Sequence, residues 1–357
     1  MGRSERPPPS PADALASHAM NFRSDNTAGA APEILRAMAD ANEGATGAYG
    51  DDPWSHRLDR AFSDLFEHEV RVFAVSTGTA ANAIALASAT PPWGTILCHR
   101  EAHIECDECG APEFYSGGAK LGLIEGEAAK IDAASVADAL ARYGRGVHSA
   151  KPAAISISQS TERGAVYRPD EIARLGEAAR AHALAFHVDG SRFANALACL
   201  QCAPADLTWR GGVDLLSFGA TKNGAVAAEA IIVFNPAFAE AIERRRKRGG
   251  HLLCKSRFVA AQLLAYLEDG LWLRLAQRAN ELAARIGEAA RPMLSAPVET
   301  NQVFIKPGVG ALRALRAAGA QFYDWGPEHS GEARLVVSWS QPEADVDAFC
   351  ALLKRTL

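Results

Sequence analysis

Between residues 55 and 188 the hydrophobic pattern switches repeatedly between a helical period and short runs that are apolar throughout. It predicts helix over 55–67, strand over 70–75, helix over 79–89, strand over 95–98 and helix over 103–110. Strand over 121–124, helix over 133–142, strand over 153–157, helix over 169–182 and strand over 184–188 follow. Strands that are apolar on both faces and separated by helices commit the chain to an α/β fold, a mostly parallel sheet covered on both sides. In such sheets ligands bind where strand C-terminal ends meet helix N-termini. The search for chemistry starts there.

The flanks of this core read differently. Pro7, Pro8, Pro9 and Pro11 cannot donate backbone hydrogen bonds, so residues 1–19 read as a disordered tail. Pro32 opens a predicted helix to Ala41, and the glycine-rich loop 44–53 follows, carrying Tyr49, Asp51 and Asp52. Helix is predicted over about 237–277 with a break at Gly249 and Gly250, then over 278–290. Strands at 302–306 and 333–338 with helices at 309–318 and 343–356 make a smaller α/β unit. The expected division is a large domain over 20–250 and a C-terminal domain with its connecting helix over 251–357.

A chain of 357 residues can hold two such domains. Its formal net charge of -5 gives no general attraction to nucleic acid or an anionic membrane. The basic run Arg244–Arg248 reads as a solvated helix face, although it could also meet a phosphate. A non-catalytic protein using that run on nucleic acid is disfavoured by the acidic total. No run is long enough to cross a membrane and no secretory signal is visible, so a cytoplasmic location is expected. The seven cysteines read as reduced thiols. Cys106 with Cys109 and Cys199 with Cys202 have metal-ligand spacing, but the pairs are far apart and lie in no ligand-rich module, so no metal is expected.

Three stretches fall at strand ends. Lys222 lies in a turn between the predicted strands 213–216 and 225–234, among small residues. Poor solvation there favours a neutral, nucleophilic amine, while an exposed turn lysine is the plainer reading of this stretch alone. Ser76 to Asn82 follows a strand and opens a helix, which suits a phosphate, though a Ser/Thr helix cap uses the same letters. Asp189 ends a buried strand with Arg192 three positions on. A carboxylate there needs a cation: the protonated ring nitrogen of pyridoxal phosphate, or Arg192 itself.

The order of cradle, strand-end aspartate and turn lysine resembles the fold-type-I pyridoxal-phosphate enzymes. Arg23 to Asn26, Tyr49 to Pro53, Ser76 to Asn82, Ala102 to Ile104, His187 to Arg192 and Gly219 to Gly224 together resemble the threonine aldolase family, its bacterial low-specificity L-threonine aldolases above all. The resemblance implies a large transferase-like domain, a homodimer or homotetramer with active sites between subunits, and cleavage of β-hydroxy-α-amino acids to glycine and an aldehyde. The substrates it implies are L-threonine, L-allo-threonine and their relatives. It makes Lys222 the Schiff-base lysine and Asp189 the partner of the pyridine nitrogen, with Gly78 and Thr79 on the phosphate. His103 would stack on the ring and serve in proton transfer. Ser24, Arg192 and Arg334 would hold the substrate carboxylate, and Tyr49 would contact the substrate. Gln159 would reach the phenolic oxygen or serve as a structural amide. Lys255 and Arg257 would reach the phosphate from a partner subunit.

One stretch departs from the family pattern. Some members carry a second histidine in an Asn-Thr-His-Asn run, where this chain has Ser158 to Glu162. That leaves open which group takes the β-hydroxyl proton. The rival enzyme is a β-eliminating lyase acting on an aromatic or sulfur amino acid, which would release pyruvate and ammonia instead.

Overall fold

A computed structural model describes residues 20–143 and 146–356, so the tail expected over 1–19 lies outside the described residues. The main sheet has seven strands. They are β1 (Arg71–Val75), β2 (Gly94–His99), β3 (Lys120–Ile124), β4 (Lys151–Ser158), β5 (Ala185–Gly190), β6 (Leu215–Gly219) and β7 (Glu229–Val233). Their order is β1-β7-β6-β5-β4-β2-β3, and only β7 runs against its neighbours. The mostly parallel sheet expected from the alternating pattern therefore forms. Its central strands are wholly buried, which is why their sequences are near-continuous apolar runs, broken only by buried polar residues such as His187, Asp189 and Ser217, rather than alternating.

Two predicted elements need correction. The helix predicted over 103–110 ends at Cys106, and Cys109 (φ 52°) with Gly110 (φ 72°) turns the chain before Pro112 helps restart it as Ala111–Ser116. Left-handed backbone at two successive residues is incompatible with a continuing helix. The stretch after β7 forms Ala239–Arg248, Arg257–Leu267 and Leu271–Ala289. Its second break lies at Asp269 and Gly270, both left-handed, not between 277 and 278.

The C-terminal sheet is antiparallel, with order β9-β10-β8 from β8 (Gln302–Ile305), β9 (Tyr323–Trp325) and β10 (Glu332–Val336). The two largest of the apolar clusters belong one to each sheet. Phe62, Phe193, Phe218, Tyr266 and Trp272 belong to the core of the main sheet, and Leu335 and Phe349 to that of the smaller one. The helix Leu271–Ala289 joins them, giving Trp272 and Ala276 to the first and Leu282 and Ile286 to the second. Phe218 meets Phe62 edge-on at 5.1 Å between centroids, and truncating it to alanine should cost about 3–5 kcal/mol.

Residues 20–22, expected with the large unit, lie with the small one. Met20–Asn21 pairs in parallel with Ala320–Gln321, and Phe22 packs on Phe349 with centroids 4.9 Å apart. The chain then crosses to the main sheet, so that Ser24 and Asp25 are delivered between the two cores.

Along one edge of the main sheet Val75 and Gly219 both pair with Glu229, and Asp189 pairs with Ser158 and Ser217. A Cβ at Gly219 would lie 2.7 Å from the Ser191 Cα and 2.8 Å from its carbonyl oxygen. Only glycine lets the loop after β5 lie this close to the end of β6. That contact brings Asp189 toward the Lys222 turn.

Candidate active site

The helix α1 (Gly78–Ala89) starts at the end of β1. Thr77 caps it, its Oγ1 accepting the Ala80 N–H at 3.1 Å from an extended backbone. The cap reading of this stretch is therefore right. It leaves the cradle reading intact, because the first backbone bond of the helix is Ala81 N–H to Thr77 C=O, and the amides of Gly78 and Thr79 precede it. No atom lies within 4 Å of where a Cβ would stand on Gly78, so this helix end is open on that side. An open N-terminus with unspent amides suits a phosphate.

One turn into α1, Asn82 is buried, and its Nδ2 donates to Asp189 Oδ2 and Glu108 Oε1, both at 2.8 Å. Asp189 Oδ1 accepts the Ser191 N–H at 3.0 Å. Burial alone would favour a neutral Asp189, but the positive charges of His103 and Lys222 together with these donors outweigh it and hold the carboxyl below its ordinary range. Glu108 Oε1 also meets His103 Nδ1 at 2.8 Å, while Glu108 Oε2 and Asn82 Oδ1 are buried with no partner among the described residues. Burial raises the Glu108 carboxyl. Burial works against a charged His103, yet the bond from Glu108 and the charge of Asp189 raise its imidazole.

Lys222 sits in the turn Thr221–Asn223 between β6 and β7, as the sequence predicts. Burial, followed by the charge of Arg192, lowers its ammonium, against the pull of Asp25, Asp189 and Glu229. The shift runs in the direction expected of a nucleophilic lysine. Glu229, buried at the start of β7, is pushed up to about 7 by burial.

Arg192 is not simply available to a ligand. Its Nε and Nη2 face Asp25 Oδ2 and Oδ1 at 2.8 and 3.0 Å, and Asn301 Nδ2 adds a bond to Asp25 at 3.1 Å. The salt bridge that the sequence allows between Asp189 and Arg192 gives way to one with Asp25. Arg334, on β10, lies with its guanidinium 4.8 Å from the Trp325 ring centroid, and its Nε is buried with no partner. Burial and then the charge of Arg192 push Arg334 down to about 10, with Asp25 and Asp107 opposing. That is the electrostatic form of a site for a carboxylate.

Three expected residues are placed otherwise. Gln159 is wholly buried, its Nε2 on the Tyr167 carbonyl at 2.8 Å and its Oε1 on the Tyr167 amide at 2.9 Å. It is a structural amide, and the expected contact with the phenolic oxygen is corrected: both its ends are spent on one backbone. Ser24 Oγ accepts the Asn26 N–H at 3.1 Å and so caps a short turn. Tyr49 is exposed with φ 59°, its ring 4.3 Å from Lys247 Nζ and its amide on the Cys254 carbonyl, with no contact to the cluster of this chain.

In the stretch without the second histidine, Glu162 Oε1 accepts the His103 backbone N–H at 2.8 Å and the Ser158 hydroxyl at 2.6 Å. Burial pushes Glu162 up to about 6.

Asn82, Glu108, Asp25 and Glu162 escaped the sequence reading. Asn82 and Asp25 stand within the family-like stretches, where position alone gives them no role. Glu108 was hidden by the predicted helix, because five residues on from His103 a continuous helix would carry it to another face. The break before Cys109 brings it back.

A ring with a protonated nitrogen, a carbonyl and a phosphate fits these residues. The ionised Asp189 suits the nitrogen, the Lys222 amine the carbonyl carbon, and the open end of α1 the phosphate. Residues 21–308 match the family described as β-eliminating lyase. A low-specificity L-threonine aldolase of Pseudomonas aeruginosa is 44% identical over 91% of this chain and 94% of its own. One from another Pseudomonas is 42% identical over 96% and 99%. Among solved structures, a threonine aldolase of Leishmania major superposes with a TM-score of 0.88 at 28% identity, covering 94% of this chain and 98% of its own.

Proposed function

The chain belongs to the β-eliminating lyase family, among its pyridoxal-phosphate-dependent threonine aldolases, and we propose that it cleaves L-threonine, L-allo-threonine and related β-hydroxy-α-amino acids to glycine and an aldehyde. The observation that carries this reading is that Lys222, its ammonium lowered, and the ionised Asp189 stand at one edge of the main sheet and act on each other's charge, with Arg192 and Arg334 also in reach of one another's charge.

Bound pyridoxal phosphate supplies an electron sink for the Cα–Cβ bond of an amino acid attached to it. Asp189 keeps a proton on the ring nitrogen, and Asn82 and the Ser191 amide fix that carboxylate in place. Lys222, its ammonium lowered by burial, would hold the cofactor through its carbonyl carbon. The Gly78 and Thr79 amides hold the phosphate. Arg334, with the part of Arg192 not spent on Asp25, holds the substrate carboxylate and turns Cα–Cβ toward the cleavable orientation. His103 would stack on the ring.

The active form in this reading is a homo-oligomer in the cytoplasm. Tyr49, exposed and turned to Lys247, together with Lys255 and Arg257, then serves the site of a partner subunit. Among the described residues no helix is long and apolar enough to cross a membrane.

Product analysis tests the reading. Incubation of the cofactor-loaded protein with L-threonine should yield glycine and acetaldehyde in equal amounts. Pyruvate and ammonia from serine or cysteine, without aldehyde from threonine, would replace it with β-elimination.

A further inference from the structure

The hydrogen bonds around Asn82 have a consequence for His103. One oxygen, Glu108 Oε1, takes both the Asn82 amide and the His103 Nδ1, while Glu108 Oε2 has no partner among the described residues. An ionised carboxylate only accepts, so with Glu108 ionised Nδ1 carries a hydrogen whenever this contact is made. The acceptor atoms of Glu108 and Asp189 and the His103 ring nitrogen all lie within 4.8 Å of one another. His103 Nε2 has no hydrogen bond among the described residues, and the ring is half-buried. A buried carboxylate with only two donors, both on one oxygen, is costly if packing is its sole purpose, since a glutamine would fill the space.

Resting on the aldolase reading, we propose that Glu108 is the positioning residue of His103: it pins the imidazole proton on Nδ1, so that Nε2 accepts the β-hydroxyl proton, and Asn82 ties the same oxygen to Asp189. The O–H bond breaks as N–H forms at Nε2, the oxygen closes to a carbonyl, and the Cα–Cβ pair withdraws to Cα. Cα then takes up one proton to complete glycine, so the proton lost by the hydroxyl is balanced. A carboxylate behind the imidazole stabilises the cation formed at that moment, as second partners of catalytic histidines generally do.

The charged groups facing His103 are Glu108, Asp189 and Lys222, with Glu162 on its backbone amide. Of these, Glu108 touches the ring directly. Replacing it with glutamine removes the charge, keeps the shape, and frees the ring to take either tautomer.

Histidine-selective 15N NMR of the cofactor-loaded protein tests this, with the His103 signals assigned by their loss in His103→Phe. In the wild type, neutral His103 should be the Nδ1–H tautomer. In Glu108→Gln its midpoint should fall by about one pH unit or more, with tautomers mixed, since one pH unit is the usual scale of such a partner. The same variant should keep the visible cofactor band and KM while kcat drops about 10–100-fold. An Nε2–H tautomer in the wild type overturns the proposal even if Glu108→Gln does not fold. So does an unchanged His103 titration in a folded Glu108→Gln. Failure of the wild type to release aldehyde would defeat the aldolase reading and leave the tautomer result to stand by itself.

Discussion

Asp25 and Arg192 meet across 167 positions of chain, with two guanidinium nitrogens 2.8 and 3.0 Å from the two carboxylate oxygens. Both side chains are nearly inaccessible, and Asn301 of the smaller unit bonds the same carboxylate. The pair fixes the N-terminal crossing segment to both units at the place where the substrate carboxylate is expected.

Removing one partner of a buried pair strands the other. Asp25→Ala should therefore cost about 3–5 kcal/mol at neutral pH, read as a lower denaturant midpoint. Burial opposes the ionised form of Asp25, but Arg192 and Lys222 outweigh it and lower its pKa. The stabilisation is thus complete above the ordinary value of 3.8 and is lost as pH falls through the lower folded value. The gap between wild type and variant should close in that acid range. A constant gap from pH 7 down to pH 2 would show that Asp25 acts through packing alone.

Lys222→Ala should bind cofactor without the visible band that borohydride bleaches in the wild type, and lose at least roughly 10³-fold in kcat as an activated nucleophile is removed. Retention of a bleachable band would move the Schiff base to another lysine.

The sheet was legible because strands buried on both faces leave near-continuous apolar runs, and the order of Ser76, Asp189 and Lys222 along it was legible for the same reason. Helix ends read less well. The turn at Cys109 and Gly110 depends on φ values that no hydrophobic pattern records, and with it went Glu108. Arg192 was given a role and Asp25 stood in a family-like stretch without one; their pairing needs the crossover from the small unit, a tertiary fact with no local mark. Gln159 was over-read: a strand-end amide looks the same whether it meets a ligand or, as here, the Tyr167 backbone.

Among the described residues the buried Nε of Arg334 has no hydrogen-bond partner, and a like charge acts on it, so a substrate carboxylate can supply both a partner and a countercharge. Arg334→Ala should lose the hydrogen bonds to a charged group, about 1.5–3 kcal/mol, or roughly 10–150-fold in kcat/KM. Since the carboxylate sets which bond at Cα stands ready to break, kcat should fall along with the rise in KM. Arg334→Lys should recover only part, because an ammonium has no planar fork. Steady-state kinetics with L-threonine decide this, and an unchanged KM in Arg334→Ala would remove Arg334 from the substrate site.

Glu229 gives the opposite pH response from Asp25. Burial raises its carboxyl from an ordinary 4.5 to about 7, with Thr221 and Lys222 opposing the rise. Between those values the folded chain keeps a proton that the unfolded chain has released, so stability falls as pH rises through this window. The whole effect is at most about 3 kcal/mol, because each pH unit between the unfolded and folded values contributes about 1.36 kcal/mol. Glu229→Gln cannot ionise, and it should remove that decline: relative to wild type, its denaturant midpoint should be higher at pH 8 than at pH 5. The Lys222 amine, deprived of a neighbouring negative charge, should at the same time hold its proton less tightly and move the titration of the visible band to lower pH. Parallel stability curves for the two proteins over pH 5–8 would mean that Glu229 is ionised throughout, held so by Lys222.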